Sequence, residues 1–356
     1  MKNCVVAGDW VLENVVGVQR YTFQILCEID KLLETDSTDI QFELLIPENA
    51  NWNNPFKKIN VVKKGIINSK VKKHIWQQIT FPLYVKKRKA MGIDLAAALP
   101  IWGCRICAIH DCIHEAYPEN FADHKLYQFL YLIKVKILTH KDKVQIVTLT
   151  NDSKHEIQKY YKVPESRLNI VSCGWEHMET ISEREDILKK IGLSSDDRFF
   201  FSLGSRYKHK NYIWVLHAAK CNPQYKFVIT GTDSYSNTRK DLDIETPQNV
   251  IFTGYITDEE IKTLYRKCIA LIQPSLYEGF GLPPLEALAV GGKAIVSKAS
   301  CLPEIYGEAV YYIDPYSYDC KLDELLRKDI ESSDAVLQKY TWKNSARQLM
   351  NVINKV

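Results

Sequence analysis

No run in this 356-residue chain is long and apolar enough to span a bilayer. The formal net charge is only +4, too small by itself to mark a nucleic-acid binder. Cysteine is present but not in a metal-binding pattern. Ten cysteines are scattered, mostly within apolar runs, and Cys104-x-x-Cys107, with Cys112 nearby, has no second pair beside it. Buried, reduced thiols are expected rather than zinc or redox chemistry. Met1 to Gly8 is short and leads straight into polar sequence, so no secretory signal is expected and the protein is expected to be cytoplasmic. The opening glycine loop is not G-x-G-x-x-G, so a dinucleotide fingerprint is not supported. What is present is a core-forming composition, 46% hydrophobic and 25% charged, with length for two domains.

The N-terminal half begins as strand, glycine loop, helix. Asn3 to Ala7 reads as a buried strand, and Gln19 to Leu33 as a helix with Tyr21, Ile25 and Ile29 on one face. Gly17 lies between them, where it either lets backbone approach a ligand or serves only the turn. Strands are expected at 42–46, 106–109, 145–150 and 170–172, and helices at 127–141 and 154–161. Asn151-Asp152-Ser153 is expected to cap the second helix. His110 follows a strand end, the edge at which parallel sheets bind ligands, and can donate a hydrogen bond to a sugar or phosphate. A structural pairing of His110 with Asp111 is the alternative.

Residues 57–89 carry eleven lysines and arginines and no acidic residue, with Trp76, Phe81 and Tyr84 interleaved. That mixture suits peripheral contact with an anionic membrane. A solvated basic face is the competing reading, and no motif supports nucleic acid.

The charged stretch 176–197 marks the domain boundary, taken as 1–180 and 181–339, with a closing helical segment 340–356. Beyond it strands are expected at 198–203, 225–230, 250–253, 269–273 and 293–297. Helices are expected at 211–221, 258–267 and 283–290. The alternation predicts a second α/β domain with a mostly parallel sheet. The loop 204–211 concentrates Arg206, Lys208 and Lys210 on its ligand-binding edge, where they can neutralise a diphosphate. Gly231-Thr232-Asp233 and Tyr255-Ile256 end neighbouring strands on that edge, and the latter pair could frame a nucleobase.

The stretch from Pro274 through Glu278 and Gly279 to Glu286 gathers the most specific residues. Glu278 sits in a glycine loop, and Glu286 just inside a helix that Pro283 and Pro284 open. The helix start attracts an anion. The carboxylates suit hydroxyl donors, such as sugar and ribose, better than phosphate.

Phe252 to Ile261, Leu264-Tyr265, Pro274 to Pro283, Glu286-Ala287 and Leu302 to Ile305 together resemble the nucleotide-sugar half of family 4 retaining glycosyltransferases, strongly over 198–350. Gly17-x-x-Arg20, His110-Asp111 and Thr150 to Ser153 are similar to that family more weakly. The resemblance implies the GT-B architecture, two Rossmann-like α/β domains facing each other across a cleft, with the closing helix packed back on the first domain. It implies sugar contacts from Glu278, ribose contacts from Glu286, and diphosphate contacts from Arg206 and Lys210. Amides of Gly279, Phe280, Gly281 and Leu282 would complete that site, with Tyr255 and Ile256 by the base. His110 would lie near the anomeric carbon, and Gly17 would face the phosphates or acceptor. The implied activity is retaining transfer from a nucleotide-diphosphate sugar, such as GDP-mannose, to a glycan or polyprenyl-linked acceptor in surface-polysaccharide assembly at the inner face of the membrane. It needs no metal and no cofactor beyond the co-substrate. A nucleotide-sugar epimerase of the same architecture and a non-enzymatic sugar- or lipid-binding module are the competing readings.

Overall fold

The computed structural model describes residues 2–14, 16–35, 38–194, 196–203, 207–231, 245–318 and 321–356. They fall into two compact units. One is Met1–Cys173 together with Trp342–Val356, and the other is Gly174–Thr341.

The first unit is built on β1 (Lys2–Ala7), β2 (Ile40–Ile46), β3 (Asn60–Lys63), β4 (Met91–Asp94), β5 (Cys104–Ala108), β6 (Gln145–Thr148) and β7 (Leu168–Ile170). These pair side by side in the order β3-β2-β1-β4-β5-β6-β7, every pair parallel. The central strands read as nearly continuous apolar runs because helices cover both faces of such a sheet. Cys4 to Ala7 and Leu44 to Ile46 are accordingly buried without alternation. Helix Gly17–Thr35 buries Tyr21, Ile25, Leu26 and Ile29. Helix Trp342–Lys355 packs against it. The Trp342 ring lies 6.3 Å from that of Tyr21, and the Ser345 hydroxyl donates to the Ser172 carbonyl at 2.6 Å.

Three local expectations change. Helix Asn151–Tyr161 is capped one residue earlier, by Thr150, whose Oγ1 accepts from the Ser153 amide at 3.1 Å. β4 was hidden from periodicity because it is only four residues long and contains Gly92. The basic stretch 57–89 does not carry its aromatics outward. Trp76 and Phe81 are core residues, and the Tyr84 hydroxyl donates to Glu43 at 2.9 Å. The stretch folds as helix Lys70–Ile75, a π turn at Trp76–Thr80 and helix Phe81–Arg88.

The second unit is built on β8 (Phe199–Ser202), β9 (Lys226–Ile229), β10 (Val250–Phe252), β11 (Leu271–Gln273), β12 (Ala294–Ser297) and β13 (Tyr311–Ile313). Their order is β10-β9-β8-β11-β12-β13, again all parallel. The period of two along β8 divides the core. Phe200 packs with Phe227 and Trp214 on one face, while Phe199 and Phe201 pack with Leu264, Tyr265 and Ala287 on the other. Counting within each unit, the third strand lies beside the second, then the first, then the fourth. That is the doubly wound order. It puts a topological switch point between β1 and β4 in one unit and between β8 and β11 in the other.

Candidate active site

The switch point of the second unit is flanked by the loops that leave β8 and β11. Lys210 ends a short 3-10 turn, Lys208–Lys210. The next residue, Asn211, has φ 52° in the left-handed region, which asparagine tolerates better than most residues. Its side-chain amide donates to the Pro274 carbonyl at 3.1 Å and the Pro315 carbonyl at 2.8 Å. The first bond moors the Lys210 turn to the loop that carries Glu278, and the second moors it to the loop after β13. The Lys210 ammonium lies 2.8 Å from both oxygens of Glu278, and Gln273 Nε2 donates to Oε1 at 2.9 Å. Glu278 is 9% exposed, and Lys210 remains a third exposed at its side chain. An ammonium has three N–H donors, so two on Glu278 leave one for a further anion. Arg206, Thr232 and Asp233 lie outside the described residues.

Helix Leu282–Ala289 starts behind Gly281, whose φ of 84° favours glycine. A Cβ there would also meet Leu302 Cδ2 at 2.6 Å. Pro283 and Pro284 have no N–H, so the amides of Gly281 and Leu282 are what this helix start offers a ligand. Glu286 has a different environment from the one expected of a free ribose ligand. It is 8% exposed, with Oε1 3.0 Å from His177 Nε2 and Oε2 accepting from the Tyr265 hydroxyl at 3.0 Å. The Phe280 side chain packs edge-on to Tyr340 at 5.4 Å, and Ile256 is buried among Leu264 and Val228. For both, only the backbone is left to face a ligand. Tyr255 is the opposite case, 90% exposed.

In the first unit His110 is buried, with its Nε2 2.9 Å from the Leu95 carbonyl and the edge of its ring against Tyr21. Burial pushes its pKa down to about 4. A carbonyl only accepts, so Nε2 carries the single proton of the neutral ring and Nδ1 is left as an acceptor. That corrects the expectation of a donor histidine. Gly17 is the first residue of its helix, and a Cβ added there meets nothing within 4 Å. The fold itself therefore makes no steric demand for glycine at that position.

Two residues at this strand edge escaped the sequence reading. Asp9, directly after β1, is 3% exposed, accepts from Gln77 Nε2 at 2.7 Å through Oδ2, and lies 3.8 Å from the Lys73 ammonium. Its Oδ1, and Oε1 of nearby Gln19, are buried with no hydrogen-bond partner among the described residues. Burial raises the Asp9 pKa, with Lys73 and the Gln77 bond opposing. The available signal was the Gly8-Asp9 pair at the end of the first strand. Nothing local marked Lys73 or Gln77, which arrive from a distant helix. Among the described residues no three His, Cys, Asp or Glu gather as a metal site.

His209, beside Lys210, is also buried, and burial with Lys210 next to it pushes its pKa down to about 4. The unfolded chain takes up the proton near pH 6.5 and the folded unit only near 4, so stability falls as pH drops between those values. Lowering pH from 7 to 5 is expected to cost the second unit about 2 kcal/mol through this group. Urea midpoints of wild type and His209→Gln at both pH values check it; equal pH slopes would remove His209 as the cause. In the first unit His110 and His114 act in the same direction, while Asp94, pushed up to about 6 by burial, opposes them.

Comparison with known proteins follows the same division. Residues 183–343 match the model of the family described as glycosyl transferases group 1. Among curated relatives, the O-antigen chain mannosyltransferase RfbU of Salmonella typhimurium is 24% identical over 72% of this chain and 71% of its own. The serotype-specific mannosyltransferase WbdA of Escherichia coli is 27% identical over 68% of this chain but only 32% of its own, so the match spans about a third of WbdA. Among solved structures, sucrose-phosphate synthase from Thermosynechococcus elongatus superposes with a TM-score of 0.69 at 15% identity, covering 100% of this chain and 99% of that one. WaaG, a glycosyltransferase involved in lipopolysaccharide biosynthesis, gives 0.60 at 18% identity over 98% and 95%. Residues 183–343 therefore belong to the glycosyl transferases group 1 family, and the chain that carries them is a glycosyltransferase with the GT-B fold.

Proposed function

We propose that this glycosyltransferase moves a sugar, with retention of configuration, from a nucleotide-diphosphate donor to a glycan or polyprenyl-linked acceptor in surface-polysaccharide assembly. GDP-mannose is the first donor to test, because the relatives RfbU and WbdA are named mannosyltransferases. The observation that carries the reading is the Lys210–Glu278 pair at the switch point of the second unit. Glu278 accepts hydrogen bonds from hydroxyls of the transferred sugar. The remaining N–H of Lys210 and the charge of Arg206 meet the diphosphate, helped by the amides of Gly281 and Leu282. Tyr255 lies by the base. The anomeric carbon–oxygen bond to phosphate breaks as the acceptor oxygen bonds to that carbon on the same face. The acceptor proton passes to the departing phosphate oxygen. Lysine, arginine and backbone amides meet the diphosphate charge in this reading, so no metal is invoked. Thermal-shift and diphosphonucleoside-release assays over a panel of nucleotide sugars test it. GDP-mannose should raise the melting temperature and release GDP in the presence of acceptor; no shift and no release with any donor would end the proposal.

On the acceptor side, the unpaired oxygens of Asp9 and Gln19 suit sugar hydroxyls, which donate. Asp9→Asn should raise the acceptor KM about 10–100-fold, the value of a charged hydrogen bond, with donor affinity unchanged. An unchanged acceptor KM would remove Asp9 from this role.

A further inference from the structure

We propose that the first unit docks on an anionic lipid bilayer through a two-helix face, and that this face carries the Asp9 cluster to the membrane plane. The core uses only one side of the segment Lys70–Arg88, burying Trp76, Phe81 and Val85. Its other side presents Val71, Ile75, Ile79 and Leu83, spaced four apart and 42–68% exposed. Helix Lys125–Thr139 repeats the arrangement. It buries Val135 and Leu138, yet leaves Leu126, Phe129, Leu130, Ile133 and Ile137 36–71% exposed. The spacing of three and four places these five on one stripe.

The two helices are neighbours, tied to the same short backbone stretch. Gln78 Nε2 donates to the Leu99 carbonyl and Lys134 Nζ to the Ala98 carbonyl, both at 3.1 Å. Soluble surfaces scatter their exposed apolar residues, whereas contiguous stripes mark an interaction face. The charge on both segments identifies the partner. Neither 70–89 nor 125–141 contains an aspartate or glutamate, and Lys72, Lys86, Lys87, Lys125 and Lys136 are exposed. A second copy of the chain would set lysine against lysine. An anionic bilayer offers phosphate to the lysines and acyl chains to the leucines and Phe129, as for amphipathic helices lying in an interface. The sequence alone placed such contact in 57–89 with Trp76, Phe81 and Tyr84. The face proposed here excludes those three and takes five of its nine apolar residues from 126–137.

The docking helix is also wired to the polar cluster. Lys73, on helix Lys70–Ile75, pairs with Glu13 and lies 3.8 Å from Asp9. Docking would hold that cluster next to the leaflet from which a lipid-linked acceptor is drawn.

Co-sedimentation with vesicles of equimolar phosphatidylglycerol and phosphatidylcholine tests the proposal on the full chain. Wild type should pellet with these vesicles, release on raising salt, and stay in the supernatant with phosphatidylcholine alone. The triple variant Leu126→Ser, Phe129→Ser, Leu130→Ser should lose about tenfold or more of its partitioning. Its melting temperature and donor-induced thermal shift should be unchanged, because all three side chains are exposed. Failure of wild type to bind, or equal binding by the variant, would overturn the docking face. So would a concentration-dependent dimer that the triple variant dissolves. None of these outcomes depends on which donor is used, so failure here is separable from failure of the donor assignment.

Discussion

Glu278→Ala is expected to lower kcat by about 10²–10³-fold, on the scale of losing one preorganised group at a reacting centre, while donor affinity holds or improves. The reason lies in what Lys210 does once its partner is gone. In the wild type its ammonium is shared between the two oxygens of Glu278. In the proposed mechanism, truncating the carboxylate frees that charge for the diphosphate and removes the acceptor of sugar hydroxyls. Lys210→Ala acts in the other direction. It leaves a nine-tenths-buried carboxylate without its cation, close to where an anionic donor must sit. Donor binding should weaken about 10–100-fold, as for losing a charge-assisted bond, and kcat should fall as well. The double variant should be less damaged than the product of the two, because neither single change leaves the other residue in its native environment. Steady-state kinetics at saturating acceptor, with donor affinity from thermal shifts, separates these cases. A Glu278→Ala enzyme that keeps more than about a tenth of its kcat would remove Glu278 from the reacting sugar.

The Asn211 amide gives this pair its geometry, which makes it a positioning residue. Asn211→Gly accepts the left-handed backbone but loses the bonds to Pro274 and Pro315. We expect about 1–3 kcal/mol lower stability and a reduced kcat, with the conservative Asn211→Asp restoring neither, since a carboxylate cannot donate to carbonyls. An Asn211→Gly protein with wild-type melting and turnover would show that the loop is held elsewhere.

What the sequence made legible was whatever repeats with a period or a motif. Helix Asp258–Lys267 lay where a helix was expected, and the structure closes its start with a capping box between Thr257 and Glu260. Of the strands at the switch points, β1, β8 and β11 were visible as short apolar runs, and β4 was not. The Lys210–Glu278 proximity was not readable, although both residues were singled out, because it depends on strands β8 and β11 lying side by side across a long stretch of chain. The environment of Glu286 was hidden for the same reason, since His177 and Tyr265 come from separate helices. His110 was singled out by position and expected as a donor to a ligand, but the Leu95 carbonyl that fixes its tautomer has no sequence signature. The 126–137 stripe was passed over for a different reason. Its apolar spacing reads as a core-facing helix, and only burial shows that the core takes the other side.

Glu286→Ala is the second substitution with a large expected effect, and the structure changes what it should do. A free ribose ligand would be removed at little cost to folding. This carboxylate instead bridges the His177 ring and the Tyr265 hydroxyl inside the second unit. Removing it takes one hydrogen-bond partner from each of two buried polar groups, at about 1–3 kcal/mol apiece. The melting temperature should drop by roughly 5–15 °C for a unit of this size. Glu286→Gln keeps an oxygen for Tyr265 and an N–H for an unprotonated His177 nitrogen, so it should retain most of the stability. Donor affinity in the Gln variant then reports the ribose role by itself: a loss of about tenfold or more supports it, and wild-type affinity would remove it. Tyr265→Phe completes the comparison, deleting one donor to the bridge and none of the ligand's acceptors. It should cost about 1–2 kcal/mol of stability and leave donor affinity alone. If Glu286→Ala instead melts like wild type, the bridge does not stabilise the unit. If Tyr265→Phe weakens the donor as much as Glu286→Gln does, the hydroxyl holds the carboxylate in its binding rotamer, and the stabilising and ribose-binding roles of Glu286 act as one.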